Sequence, residues 1–163
     1  MPDGIALAPP ALVAYLRAEG IDPEILAPGV PMPTVPLAAA AIGVEPSAII
    51  KSLVFQSKDG RCVLAVASGP DRVSKAEVAV AAGFDSCALA SPETVLEVTG
   101  FPAGGVAPVG HRTSIPVVVD RRVTMLGEVY GGAGSEELLL RLSVKNLLRL
   151  TNATIADISQ SVG

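Results

Sequence analysis

Ile49-Ile50-Lys51-Ser52-Leu53-Val54-Phe55-Gln56, then Lys58-Asp59-Gly60, then Arg61-Cys62-Val63-Leu64-Ala65-Val66-Ala67-Ser68 is the stretch on which the fold turns. Both runs are apolar and β-branched, and an Asp-Gly pair between such runs marks a tight hairpin turn. The stretch predicts two antiparallel strands, over 49–56 and 61–68. Upstream, Pro10 opens a helical pattern that places Leu12, Val13 and Leu16 on one face, and Gly20 closes it. Residues 27–36 carry Pro28, Gly29, Pro31, Pro33 and Pro36, a density that reads as a stiff surface loop. A short Ala-rich helix over 37–42 follows, stopped by Gly43.

Downstream, Ser74 with Glu77 forms a capping box for a helix that Gly83 ends. Ser91-Pro92-Glu93 starts another helix that runs to about Gly100, and residues 87–90 between the two suit a short strand. Residues 115–120 and 125–130 are strand-like. Ser143 is a good N-cap and divides 135–150 into a strand over 137–142 and a helix over 144–150. Strands and helices mix without regular βαβ alternation. The fold class is therefore α+β, a mixed β-sheet flanked by helices, in a single domain spanning 1–163.

Composition narrows the function. Of 163 residues, 50% are hydrophobic and 17% charged, which excludes a disordered chain. Aromatics are only 3%, so Ala, Val, Leu and Ile must build the core. Twelve basic against 16 acidic residues give a formal charge of -4. A protein that wraps a nucleic-acid backbone carries a basic excess, so DNA binding is not expected and any RNA contact is local. Mean hydropathy is +0.52, yet the longest apolar stretches, 35–44 and 63–67, fall far short of the roughly 20 residues a spanning helix needs. MPDGIALAPP at the N-terminus has no basic leader, so a cytoplasmic protein free of membranes is expected.

Cys62 and Cys87 form no CxxC and read as reduced, buried thiols. With His111 the single histidine, neither a metal site nor a cofactor is expected. His111, in a Gly- and Pro-rich loop beside Arg112, reads as an exposed loop residue. No phosphate-binding or dinucleotide-binding glycine motif is present.

Three features can carry chemistry. Lys51 sits in the middle of an apolar strand and shares a face with Ile49, Leu53 and Phe55. It is either an edge-strand lysine that blocks aggregation or a cation at a pocket floor. The segment 100–110, with Gly100, Gly104, Gly105, Gly110, Pro102 and Pro108, has bare backbone that can aim N–H groups at an anion, or it is only a connector. Tyr130-Gly131-Gly132-Ala133-Gly134-Ser135-Glu136-Glu137 places a phenol and carboxylates beside a glycine turn, which taken alone reads as a solvated hairpin.

In this order and at these separations, the three segments resemble the YbaK/ProX family of free-standing aminoacyl-tRNA deacylases, similar to the editing domain inserted in bacterial prolyl-tRNA synthetases. The resemblance runs from about Ala39 to Ser159. Lys51-Ser52-Leu53 matches the family's Lys-[Ser/Thr]-Leu. Thr99-Gly100-Phe101 with Gly104-Gly105 and Pro108-Val109-Gly110 looks like its Thr-Gly-Tyr-x-x-Gly-Gly-x-x-Pro-x-Gly loop. The strand 116–120 ending in Asp120, the Gly131-Gly132 turn, and the closing Asn146-Leu147-Leu148 with Ala156-Asp157-Ile158 also fit.

The resemblance implies the family's partly barrel-like sheet. It implies Lys51, Gly104 and Gly105 as catalytic residues, and Ser52, Pro108, Tyr130, Gly131 and Glu137 as substrate-binding ones. Tyr130 stands where the cysteine-directed members have Ser, and is expected to narrow or re-line the amino-acid pocket. Glu137 stands where they have Asp. Around residues 22–34 a Pro-rich sequence replaces the aromatic and His-containing stretch typical of the family.

The implied partner is the acceptor end of aminoacyl-tRNA, a tRNA(Pro) carrying a wrong small amino acid, with prolyl-tRNA synthetase as a second candidate partner. An aminoacyl ester is already activated, so a lysine ammonium and backbone donors suffice without a histidine. Two other readings stay open: a non-catalytic module that docks on tRNA or synthetase, and a Schiff-base enzyme using Lys51.

Overall fold

The computed structural model describes residues 4–160. Helix α1 (Pro10–Ala18) starts at a proline whose fixed φ suits a first turn, and buries Leu12, Val13 and Leu16. After it come β1 (Glu24–Leu26), α2 (Val35–Ile42), the hairpin β2 (Ile50–Gln56) and β3 (Cys62–Ser68), and β4 (Arg72–Val73). Then follow α3 (Lys75–Ala82), β5 (Ala88–Leu89), α4 (Pro92–Thr99) and β6 (Val117–Asp120). The chain closes with β7 (Glu128–Gly132), β8 (Leu139–Ser143), α5 (Val144–Thr151), β9 (Thr154–Ala156) and β10 (Ser159–Gln160). The hairpin pairs in full, from Ile50 opposite Ser68 to Gln56 opposite Cys62. Ser74, Ser91 and Ser143 each cap the next helix, accepting from the backbone N–H of Glu77, Thr94 and Asn146.

The five-stranded sheet has the order β5-β2-β3-β6-β9 and is mixed: β2 runs antiparallel to β3, while β3–β6 and β6–β9 are parallel. A three-stranded sheet, β1-β8-β7, packs against one of its faces through the main core, where Ile50, Val54, Leu64 and Val66 meet α1, Val129 and Leu140. The other face buries Phe55, Val63, Ala65 and Val118 against Val78 and Ala79 of α3. The two sheets meet at a bridge between Ile49 and Tyr130 but do not close into a barrel, since β5 and β9 remain edges of the larger sheet.

Other differences have local causes. Helix α2 begins at Val35, inside the expected loop: Thr34 caps it and Pro36 sits in its first turn, where a missing N–H costs nothing. The strand expected over 125–130 starts three residues later, because Arg121–Met125 winds into a 3-10 turn. His111 is not an exposed loop residue. Its ring is half-buried, with Nε2 bonded to the Ala107 carbonyl at 2.7 Å, and it meets Phe101 edge-on at 6.2 Å between centroids. Cys62 and Cys87 are free thiols, partly exposed rather than buried. Among the described residues no helix is long and apolar enough to cross a membrane.

Candidate functional site

The site begins at an unfinished strand edge. β5 pairs with β2 only at Phe55 and Gln56, and Ala90 N–H donates to Val54 O at 2.9 Å. Because backbone groups alternate along a strand, the peptide groups of Ser52 face the same side as Val54 O, and between Ala90 at Val54 and the bridge of Ile49 to Tyr130 no strand continues the sheet. A cavity of about 190 Å³ occupies that gap. Val35 and Ala38 of α2 form one wall, Leu138 and Leu139 another, and Gly104 and Val106 complete it. Ser52 also lines the cavity, and its Oγ is buried without a hydrogen-bond partner among the described residues. A buried hydroxyl with nothing to bond costs about 1–3 kcal/mol, which points to a partner supplied from outside.

Lys51 lies at the cavity's margin, half-buried, and borders a second, open groove on its far side. Its Nζ donates to the Asp71 carbonyl oxygen. Burial lowers its pKa, with the Asp71 carboxylate acting in the opposite direction. That carboxylate is held by Arg122 at 3.4 Å.

The loop after α4 is pinned before it reaches the cavity. Thr99 is buried, its Oγ1 donating to Val95 O at 2.7 Å and accepting from Phe101 N–H at 3.0 Å. Gly104 has φ +89°, a conformation that excludes most side chains. Gly105 N–H donates to Pro102 O at 2.9 Å, and Gly105 O accepts from Gly134 N–H at 2.8 Å. A Cβ on Gly105 would stand 2.7 Å from Ser135 N, and one on Gly132 only 2.4 Å from Val106 O. These two glycines therefore let the loop and the end of β7 touch backbone to backbone. Within the loop the Gly105 amide is already spent. The amides of Gly104 and Val106, both cavity residues, bond to nothing among the described residues.

Of the residues singled out in the sequence, Lys51, Ser52 and Gly104 come together around the cavity. Gly105, Pro108 and Gly131 form the wall behind it, with Pro108 Cδ 3.2 Å from where a Gly131 Cβ would lie. Tyr130 does not line the cavity itself, but packs with Ile49 into the apolar cluster of α2 that supplies Met32, Val35, Ala38 and Leu139 to the cavity wall. Glu137 is exposed, its N–H donating to Ser135 Oγ at 3.2 Å. The carboxylate at the cavity is its neighbour Glu136, with Oε1 3.6 Å from the Cβ position of Gly104. Thr34 and Met32 also line it, the latter held by Met32 N–H donating to Glu136 O at 2.7 Å. A Pro-rich loop carries no periodic signal that would have announced them. Among the described residues no cluster of His, Cys, Asp and Glu could hold a metal ion.

Residues 30–150 match the model of the aminoacyl-tRNA editing domain. A protein named YwhH from Bacillus subtilis is 35% identical over 114 residues, 70% of this chain and 72% of that protein. A candidate Cys-tRNA(Pro)/Cys-tRNA(Cys) deacylase, EbsC of Enterococcus faecalis, is 25% identical over 74% of each chain. A solved structure of a candidate trans-editing enzyme for prolyl tRNA synthetase superposes with a TM-score of 0.86 at 33% identity, covering 93% of this chain and 96% of that one. Proline–tRNA ligases match as well, but the chain spans only 17% of the length of the Pelobacter propionicus ligase, at 28% identity. The matched segment contains the β2 edge, the Gly104–Val106 amides and the 132–139 turn together, and the chain belongs to the aminoacyl-tRNA editing domain family.

Proposed function

We propose that this protein hydrolyses mischarged aminoacyl-tRNA in trans, acting on tRNA(Pro) that carries a small wrong amino acid, in the cytoplasm and in the service of prolyl-tRNA synthetase. One observation carries the reading: Lys51, Ser52, Gly104 and Val106 line one small, mostly apolar cavity, and among the described residues the Ser52 hydroxyl and the amides of Gly104 and Val106 have no hydrogen-bond partner. Apart from the Glu136 carboxylate these polar groups are donors, which suits an ester that is already activated. The ester carbon accepts a water oxygen, the carbonyl oxygen takes up negative charge, and the C–O bond to the ribose breaks. The leaving ribose oxygen takes the proton that the water gives up.

Lys51 Nζ and the amides of Gly104 and Val106 are the groups that would hold the oxyanion, each worth roughly 3–4 kcal/mol in the transition state. Gly105 contributes by shaping the loop, since its amide is committed to Pro102. The walls from Val35, Ala38 and Leu138 suit a short apolar side chain. Ser52 Oγ and the Glu136 carboxylate suit the substrate's α-ammonium.

The test is deacylation of tRNA(Pro) charged with Ala, Cys or Ser by the full chain. At least one ester should be cleaved faster than in buffer, and Lys51→Ala should lose about 10²–10³ of that rate. Complex formation with tRNA, unaffected by Lys51→Ala and without turnover of any ester, would replace this reading with a binding module.

A further inference from the structure

Lys51 borders not only the small cavity but also a more open groove of about 630 Å³ on the α3 side of β2. Leu53 is shared by both, and Leu89 of β5 lines the groove 63% exposed, beside its cations. The opposite rim is residues 70–75, which bring Arg72 and Lys75 to the groove, both exposed. Neither side chain makes an ion pair or a hydrogen bond among the described residues, whereas Arg61, Arg121, Arg122, Arg141 and Arg149 all have carboxylate partners. The one carboxylate lining the groove, Asp71, is answered by Arg122. Three cations with two free heads therefore line an apolar trough in a chain of formal charge -4.

We infer that this groove is the nucleotide subsite: it receives the 3′-terminal nucleotides of the RNA whose aminoacyl ester enters the adjoining cavity. The terminal base lies against Leu53 and Leu89, and backbone phosphates lie at Arg72 and Lys75. The inference rests on the deacylase reading, because the shared Lys51 is what makes the two spaces consecutive along one substrate. Phosphate contacts of this kind supply affinity without reading sequence, and an apolar wall accepts the face of a base. It also accounts for how an acidic protein grips RNA at a single end.

The experiment uses the full chain and an uncharged acceptor-stem minihelix ending in CCA, labelled for anisotropy, beside kinetics on mischarged tRNA(Pro). The double variant R72E/K75E should weaken minihelix binding at least tenfold. It should also lower the slope of log Kd against log salt by about 1.4, two single-strand phosphates at about 0.7 each. In turnover it should raise KM by the same factor and leave kcat within about threefold, while Lys145→Glu on α5 changes neither. R72Q/K75Q, which adds no negative charge, should fall in between. Wild-type affinity and KM in the double variant, or no minihelix binding by the wild type, overturn the inference. Turnover with an unchanged KM sinks the groove and spares the deacylase. Binding lost on charge reversal, with no ester ever cleaved, sinks the deacylase and spares the groove.

Discussion

Gly132→Ala is the perturbation whose outcome can be worked most directly from the structure. The new Cβ would lie 2.4 Å from Val106 O, 2.9 Å from Val106 C and 3.0 Å from Gly105 C, all backbone atoms that cannot rotate away. Ordinary contact begins at 3.4 Å, so β7 and the 104–106 loop must part by about 1 Å. Forcing one methyl into such a contact costs about 1–3 kcal/mol. At about 2–4 °C per kcal/mol for a chain of this size, Tm falls by roughly 2–12 °C. The same displacement carries the Gly104 and Val106 amides off the cavity, and a misplacement of about 1 Å costs about 10² in rate. Thermal unfolding and deacylation of mischarged tRNA(Pro), measured on one preparation, read both. Gly127→Ala is the control, since nothing lies within 4 Å of its Cβ position. A Gly132→Ala protein with wild-type Tm and kcat/KM would refute the contact and the role given to it.

Ser52→Ala should separate stability from function: with no partner lost, stability is unchanged or rises by about 1 kcal/mol, while kcat/KM falls about tenfold. A clear loss of stability with full activity would place the hydroxyl in the packing instead. His111 makes stability depend on pH. Burial lowers its pKa below 6.5, with the Ala107 carbonyl opposing, so the unfolded chain binds a proton that the folded chain refuses. Stability from this residue is complete above about pH 6.5 and declines as pH falls from there toward the lowered folded pKa. Urea midpoints at pH 7.5 and 5.5 should therefore differ more in the wild type than in His111→Gln, and equal slopes would contradict the assignment.

What was legible in the sequence was local. The β2–β3 hairpin, the caps at Ser74, Ser91 and Ser143, and the left-handed C-cap glycines at 43, 83 and 100 are each decided within a few residues. β1 was not legible, because three residues at 24–26 become a strand only by pairing with residues 139–141, far along the chain. Pro36 misled for a related reason: a proline breaks a helix in its interior and is tolerated in its first turn, and only Thr34 decides which applies. Lys51 and Gly104, which line the cavity, stand out in the sequence because a cation in an apolar strand and a bare loop are anomalies in any sequence. That Glu136 rather than Glu137 borders the cavity, although both are exposed, has no linear signal, because the turn that the Ser135 hydroxyl and the Met32 amide hold sets it. The groove of Arg72 and Lys75 had no linear signal at all, being assembled from residues 51–55, 70–75 and 88–89.

In the proposed reaction one substrate carbonyl is held between Lys51 and the amides of Gly104 and Val106. The most direct measurement is an amide proton–nitrogen NMR titration with a non-hydrolysable 3′-aminoacylamino-3′-deoxyadenosine, in which an amide replaces the ester. The Gly104 and Val106 resonances should move downfield on saturation as their N–H groups acquire an acceptor, while Gly105, already bonded to Pro102, stays within the shifts of the surrounding loop. Saturable binding that leaves Gly104 and Val106 in place, or shifts confined to residues outside the cavity, would contradict it.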